Sequence, residues 1–173
     1  MSYFTVSIHQ AYMPPELTGW HGILDQRTLC QKKRNLIPKH TVFKVMPHMQ
    51  TVLTDIIMHP CFMVSKKVME VIKRYDSTLT FERLVISEPA RKETQTYYMP
   101  ILPKLDVLTS NSRLGRDQKL THIEMNGNRS QGKAIFQIEK QGHLSILMSL
   151  DLVESLLRRG CIGIGLTEVD VID

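Results

Sequence analysis

Hydrophobic and polar positions change period several times along this 173-residue chain, and each change predicts an element. The first forty residues are irregular apart from a short strand at Thr5 to Ile8. Pro14-Pro15 and the polar run Gln31-Lys32-Lys33-Arg34-Asn35 break any period there. From Thr41 the pattern sharpens: Thr41–Met46, Val52–Met58 and Phe62–Val64 are short β-prone runs bounded by Pro47 and Pro60, as in an antiparallel sheet. Ser65 then has the character of an N-cap, because its hydroxyl can accept from the unpaired amides of the next turn. Val68, Ile72 and Tyr75, with Met69 and Val71 beside them, recur at helical spacing and predict a short amphipathic helix over 65–75. Lys73 and Arg74 suit its C-terminal dipole. Lys66 and Lys67 oppose the N-terminal one, at a few tenths of a kcal/mol each, and hint at an acidic neighbour. Two solvated lysines screened by salt explain the same pattern more simply.

Leu79–Ser87 and Gln95–Leu102 resemble two strands joined by a polar loop. Residues 107–131 are polar and glycine-dotted except for a short strand around His122–Met125. Lys133–Glu139 and Leu144–Ser149 form the clearest hairpin, with Gln141-Gly142 as its turn. Asp151 and Glu154 have the spacing of an acidic capping box, so a second helix is expected over 151–159. Gly160 can take the left-handed stop after it. A last strand, Cys161–Val171, alternates Ile162, Ile164 and Leu166 with small residues. The fold class is therefore α+β: a mainly antiparallel sheet with two short flanking helices, in one domain spanning 1–173, with 1–40 an irregular segment packed on it.

Composition narrows the setting. Hydrophobic residues make up 42% and charged residues 23%, ordinary for a folded domain, and the formal net charge of +5 is diagnostic of no partner. The N-terminus lacks a basic-then-apolar signal, and no apolar run approaches the roughly 18 residues that span a bilayer. Cys30, Cys61 and Cys161 are an odd set without a CxxC, which points to reduced thiols, a cytoplasmic location and no thiolate metal site.

Candidate chemistry is sparse. Gly127-Asn-Arg-Ser-Gln-Gly132-Lys133-Ala134 has phosphate-loop spacing, but Ala134 lacks the hydroxyl that ligates magnesium and a strand follows instead of a helix. Gly160, Gly163 and Gly165 stand after a helix and before a strand, the reverse of a dinucleotide loop, and mark close packing or a bulge. His59-Pro60-Cys61 pairs two donors without a helical HxxxH, so neither a metal nor another cofactor is expected. No GxSxG elbow is present, and Cys61 and Cys161 sit in apolar stretches where cysteine acts as a small hydrophobe. Lys32-Lys33-Arg34, Lys66-Lys67, Lys73-Arg74 and Arg158-Arg159 could pool into a basic face. Without interleaved aromatics, however, nucleic acid is not expected as a partner.

Four segments carry a resemblance: His59-Pro-Cys-Phe-Met-Val-Ser-Lys-Lys-Val-Met-Glu-Val-Ile72, Tyr97-Tyr-Met-Pro-Ile-Leu102, Ser149-Leu-Asp-Leu-Val-Glu-Ser-Leu-Leu-Arg-Arg-Gly160 and Gly163-Ile-Gly-Leu-Thr-Glu168. Together they resemble a family of small bacterial proteins similar to the type-eleven immunity proteins of polymorphic toxin systems. The resemblance covers residues from about 55 to 168. It implies a cytoplasmic protein that binds and neutralises a cognate toxin, with no chemistry of its own and no membrane partner. Because this chain is basic, the toxin surface it meets is expected to be acidic or apolar. The residue types that dominate interfaces are Trp20, Tyr97, Tyr98, Arg158 and Arg159, although Trp20 and the tyrosines also suit a core. A small hydrolase with a dispersed active site is the alternative, and a structural subunit the third reading.

Overall fold

The computed structural model describes residues 1–20, 41–46, 52–115 and 120–172, arranged as thirteen strands and two α-helices. Five strands form one sheet in the order β10 (Glu124–Asn126), β13 (Ile164–Ile172), β1 (Tyr3–Ile8), β12 (His143–Ser149) and β11 (Ile135–Lys140). Six form another in the order β2 (Leu17–Thr18), β3 (Thr41–Val45), β6 (Phe81–Glu88), β7 (Glu93–Pro100), β5 (Met63–Ser65) and β4 (Ile56–Ile57). β8 (Arg113–Leu114) and β9 (Leu120–His122) make a separate ribbon. Pairing is antiparallel except β10 with β13 and β3 with β6, so the molecule is α+β with two mixed sheets where the pattern predicts one.

The helices α1 (Lys66–Tyr75) and α2 (Leu150–Arg158) lie between the inner faces of both sheets. Val68, Met69, Val71 and Ile72 of α1 and Leu152, Val153 and Leu156 of α2 share one core with Ile56 and Val64 of the six-stranded sheet. Val6, Ile135, Ile146, Met148 and Ile164 of the five-stranded sheet close it from the other side. Burying both helical stripes there offsets the modest intrinsic stability of helices this short. The outer faces have cores of their own, Phe43, Leu84, Ile86, Tyr97 and Met99 on one sheet and Tyr3, Phe136, Ile138 and Leu147 on the other.

Several expectations change. The N-terminal stretch supplies β1, which pairs on both sides, with β12 and β13, and begins two residues before the predicted strand. Its faces are hard to read because Phe4 is only half-buried while Tyr3 is fully enclosed, its hydroxyl donating to Ser130 Oγ at 3.1 Å and the Lys133 carbonyl at 3.0 Å. Val52–Met58 yields strand only at Ile56–Ile57. The N-cap position of α2 falls on Ser149, whose side chain makes no capping bond, and Asp151 lies in the first turn, because the strand runs directly into the helix. The hairpin turn is as expected, with Gln141 and Gly142 at φ 50° and 84°. No helix among the described residues is long and apolar enough to cross a membrane.

Candidate recognition cleft

A cleft of about 470 Å³ opens where α1 leaves β5, lined by the segments Leu53–Asp55, Ser65–Lys67 and Gln95–Tyr97 together with Gly160 and Ile162. Its organising group is Asp55, nine-tenths buried just before β4. Ser65 Oγ donates to Asp55 Oδ1 at 2.6 Å, the Ile162 amide donates to Oδ2 at 2.7 Å, and Lys67 Nζ lies 3.1 Å from Oδ2. The backbones interlock as well: Ser65 N donates to the Asp55 carbonyl and Asp55 N to that of Ile162. Lys67 Nζ also donates to the Gly160 carbonyl at 3.0 Å, beyond the C-terminus of α2. Lys67 thus has an acid beside it in Asp55, which supplies the negative charge that the first turn of α1 lacks, whereas Lys66 is a solvated lysine with its side chain 72% exposed.

The same contacts determine what the cleft can do. A carboxylate holding a hydroxyl, an amide and an ammonium is a structural acceptor, already satisfied. On the floor, Tyr97 donates to the Thr54 carbonyl at 2.6 Å, and burial, with the charge of Asp55, holds its phenol well above the usual range. Cys161 is buried nearby, and burial followed by the Asp55 charge raises its thiol pKa. Cys61 is pushed up to about 12 by burial alone. Both thiols are therefore held protonated and poorly nucleophilic. Gly163, at φ 83°, seats the facing turn: a Cβ there would lie 2.3 Å from Thr54 Cβ.

The predicted interface residues separate. Tyr97 is 2% exposed on the buried face of β7, so it forms the cleft floor and presents no surface of its own, a correction that follows from its pairing with Leu84 on the core side. Tyr98 points to the opposite face, half-buried against the helical core. Trp20 is half-buried against the outer core of the six-stranded sheet, its ring edge-on to His59 at 5.0 Å. Arg158 and Arg159 are exposed, bonded to Glu154 Oε2 and the Ser155 carbonyl, each at 2.8 Å. Arg159 precedes Gly160 at the rim, whereas Trp20 and Tyr98 fall outside the lining. The decisive residues Asp55, Lys67 and Ile162 stand out in no motif, and their one sequence signal was the Lys66-Lys67 charge misfit.

Lys133 of the phosphate-like loop pairs with Asp76 at 2.8 Å, and the loop enters β11 through a 3-10 turn at Gly127–Ser130, so the strand context is as read. No group of three or more His, Cys, Asp or Glu side chains able to hold a metal occurs among the described residues. His21, Asp25, Cys30, Lys32, Lys33, Arg34, His40 and His48 lie outside the described residues. No protein-family model and no curated protein matches the chain.

Proposed function

We propose that this chain is a protein-binding module and that its partner is a bacterial toxin, which makes it an immunity protein acting in the cytoplasm of the producing cell. The observation that carries the binding reading is the state of Asp55, whose two oxygens are engaged by Ser65, Ile162 and Lys67. Such a carboxylate holds the cleft walls in place and is not free to act as acid or base. The toxin assignment is carried by the resemblance of residues 59–72, 97–102, 149–160 and 163–168. A preformed cleft suits capture, because a surface ordered before encounter loses little entropy on binding. Its lining mixes exposed Ile162 with the ammonium groups of Lys66 and Lys67, a composition that suits an acidic or apolar partner.

Co-expression tests the reading. The C-terminal domain of a large multidomain protein encoded immediately upstream should arrest growth alone, and this chain should restore it and co-purify with that domain. Continued arrest with no complex overturns the proposal.

A further inference from the structure

The two faces of the six-stranded sheet divide its charges. Phe81 of β6 and Tyr98 of β7 pack on the helical core, whereas Phe43, Leu84, Ile86 and Tyr97 pack on the outer one. Side chains alternate along a strand, so the register places Val42, Val85 and Thr96 in one row on the helical side. Lys44, Ser87 and Thr94 form the next row, and Arg83 sits beside Tyr98 in the row before. Beyond Tyr98 the described chain leaves this side open: Val42 is 53% exposed, and Lys44, Arg83 and Thr94 are exposed with it. Glu82, Glu88 and Glu93 fall at the intervening positions and belong to the other side, as the bond from the Tyr97 hydroxyl to Gln95 agrees for β7. Lys73 of α1 reaches over the Phe81 ring at 5.5 Å and adds a third cation at the margin. Two carboxylates approach the rim. Glu70 is paired with Lys66, and Glu16 stands beyond β3, opposite Met46. Lys44 lies beside Ser87, four residues along β6 from Arg83, so the two cations are about 13 Å apart in the strand direction. The Val42–Val85 pair lies between them.

We infer that this open sheet face docks a partner protein through a surface on which carboxylates flank an apolar side chain. The inference rests on the protein-binding reading above and gives the chemistry of the surface that is bound. Charge complementarity selects the sign: carboxylates meet Lys44 and Arg83, while a cationic surface would meet like charge at both ends. The valines select an apolar centre, because burying them is a gain that a wholly polar partner forgoes. A nucleic acid strand is not the occupant. Lys73 already covers the Phe81 ring and Tyr98 is half-buried against the helical core, so among the described residues this face offers no free ring for bases to stack on. Thr96 belongs both to this face and to the cleft wall, which makes the two surfaces continuous.

The test is methyl nuclear magnetic resonance of the isotope-labelled full chain, titrated with the toxin domain proposed to be encoded upstream, together with calorimetric affinities of variants. The Val42 and Val85 methyls should shift and saturate together. Lys44→Glu and Arg83→Glu, both at exposed side chains, should each weaken the complex about tenfold and flatten its salt dependence. Arg129→Glu makes the same charge change on the turn before β11 and should leave affinity within about twofold. Equal losses in all three variants would mean attraction by net charge alone and overturn the inference. A complex that shifts the Ile162 methyls and leaves those of Val42 and Val85 in place overturns it too, and keeps the binding reading at the cleft. A thymidine oligonucleotide that saturates the valine shifts as tightly as the toxin domain replaces the protein occupant with nucleic acid. No complex at all removes the binding reading, and this inference with it.

Discussion

Both helices follow a strand through a serine, β5–Ser65–α1 and β12–Ser149–α2, and the two junctions solve the same electrostatic problem in different ways. A helix N-terminus favours negative charge. α2 carries its own in Asp151, exposed in the first turn, and the Ser149 side chain makes no capping bond. α1 has no acid in its first turn and two lysines instead. Its cap uses Ser65 Oγ, which accepts from Val68 N at 3.4 Å, and its carboxylate comes from Asp55, ten residues upstream. A local acid leaves a helix end self-contained. An imported acid couples the helix start to the entry of β4 and to the Gly160–Ile162 turn, and the cleft lies among those coupled segments.

That contrast can be broken by mutation. Asp55→Ala should cost about 3 kcal/mol, since it removes the acceptor of the part-buried Ile162 amide and Ser65 hydroxyl and leaves Lys67 without its carboxylate partner. Asp151→Ala should cost about 0.5 kcal/mol. Urea denaturation midpoints of the two variants measure the difference, and equal losses would dissolve the distinction. Gly163→Ala should lose about 2 kcal/mol, because its Cβ meets Thr54, whose hydroxyl is held on the Ile56 carbonyl at 2.6 Å. Gly160→Ala, with open space around the new methyl, should lose only the left-handed backbone strain of about 1 kcal/mol. Thermal melting of that pair shows whether the facing turn or the helix stop holds the cleft wall. Ser65→Ala should cost about 1 kcal/mol and lower the amide-exchange protection of Val68.

The smallest effect lies at the far end of α1. Asp76 caps that end, where its charge is unfavourable, and Lys133, then Thr78, hold its carboxyl below the usual range through hydrogen bonds. A pKa depressed by folding stabilises the protein fully above the unfolded carboxylate value, and that contribution disappears as pH falls through the folded value. Asp76→Asn should therefore lower stability modestly at neutral pH, converge with the wild type as pH falls through the folded value, and so flatten the acid limb of the stability curve. Denaturation across the acidic range checks the sign.

Much of this architecture is visible in the sequence because it is written locally. Val68, Ile72 and Tyr75 mark α1 by spacing, Gln141-Gly142 marks the hairpin by turn chemistry, and Ser65 marks a cap by position. β1 is obscure because its enclosure depends on strands more than 130 residues away. The second sheet is obscure because parallel pairing of β3 with β6 leaves no local signature. The cleft is the most hidden feature: Asp55, Lys67 and Ile162 meet only after three segments fold together. The lysine pair at the start of α1 announces an acid without saying where in the chain it lies. Tyr97 shows the converse limit, since the residue type that favours interfaces also favours a core floor.

The measurement closest to the heart of this account is the intact mass of the proposed partner, the toxin domain expected to be encoded upstream, after prolonged incubation with equimolar chain, taken with its residual toxicity. Binding without chemistry predicts a stable complex, toxicity suppressed while the partners remain together, and a toxin recovered at its original mass and full potency on dissociation. A toxin returned cleaved, or bearing a new group, would contradict it.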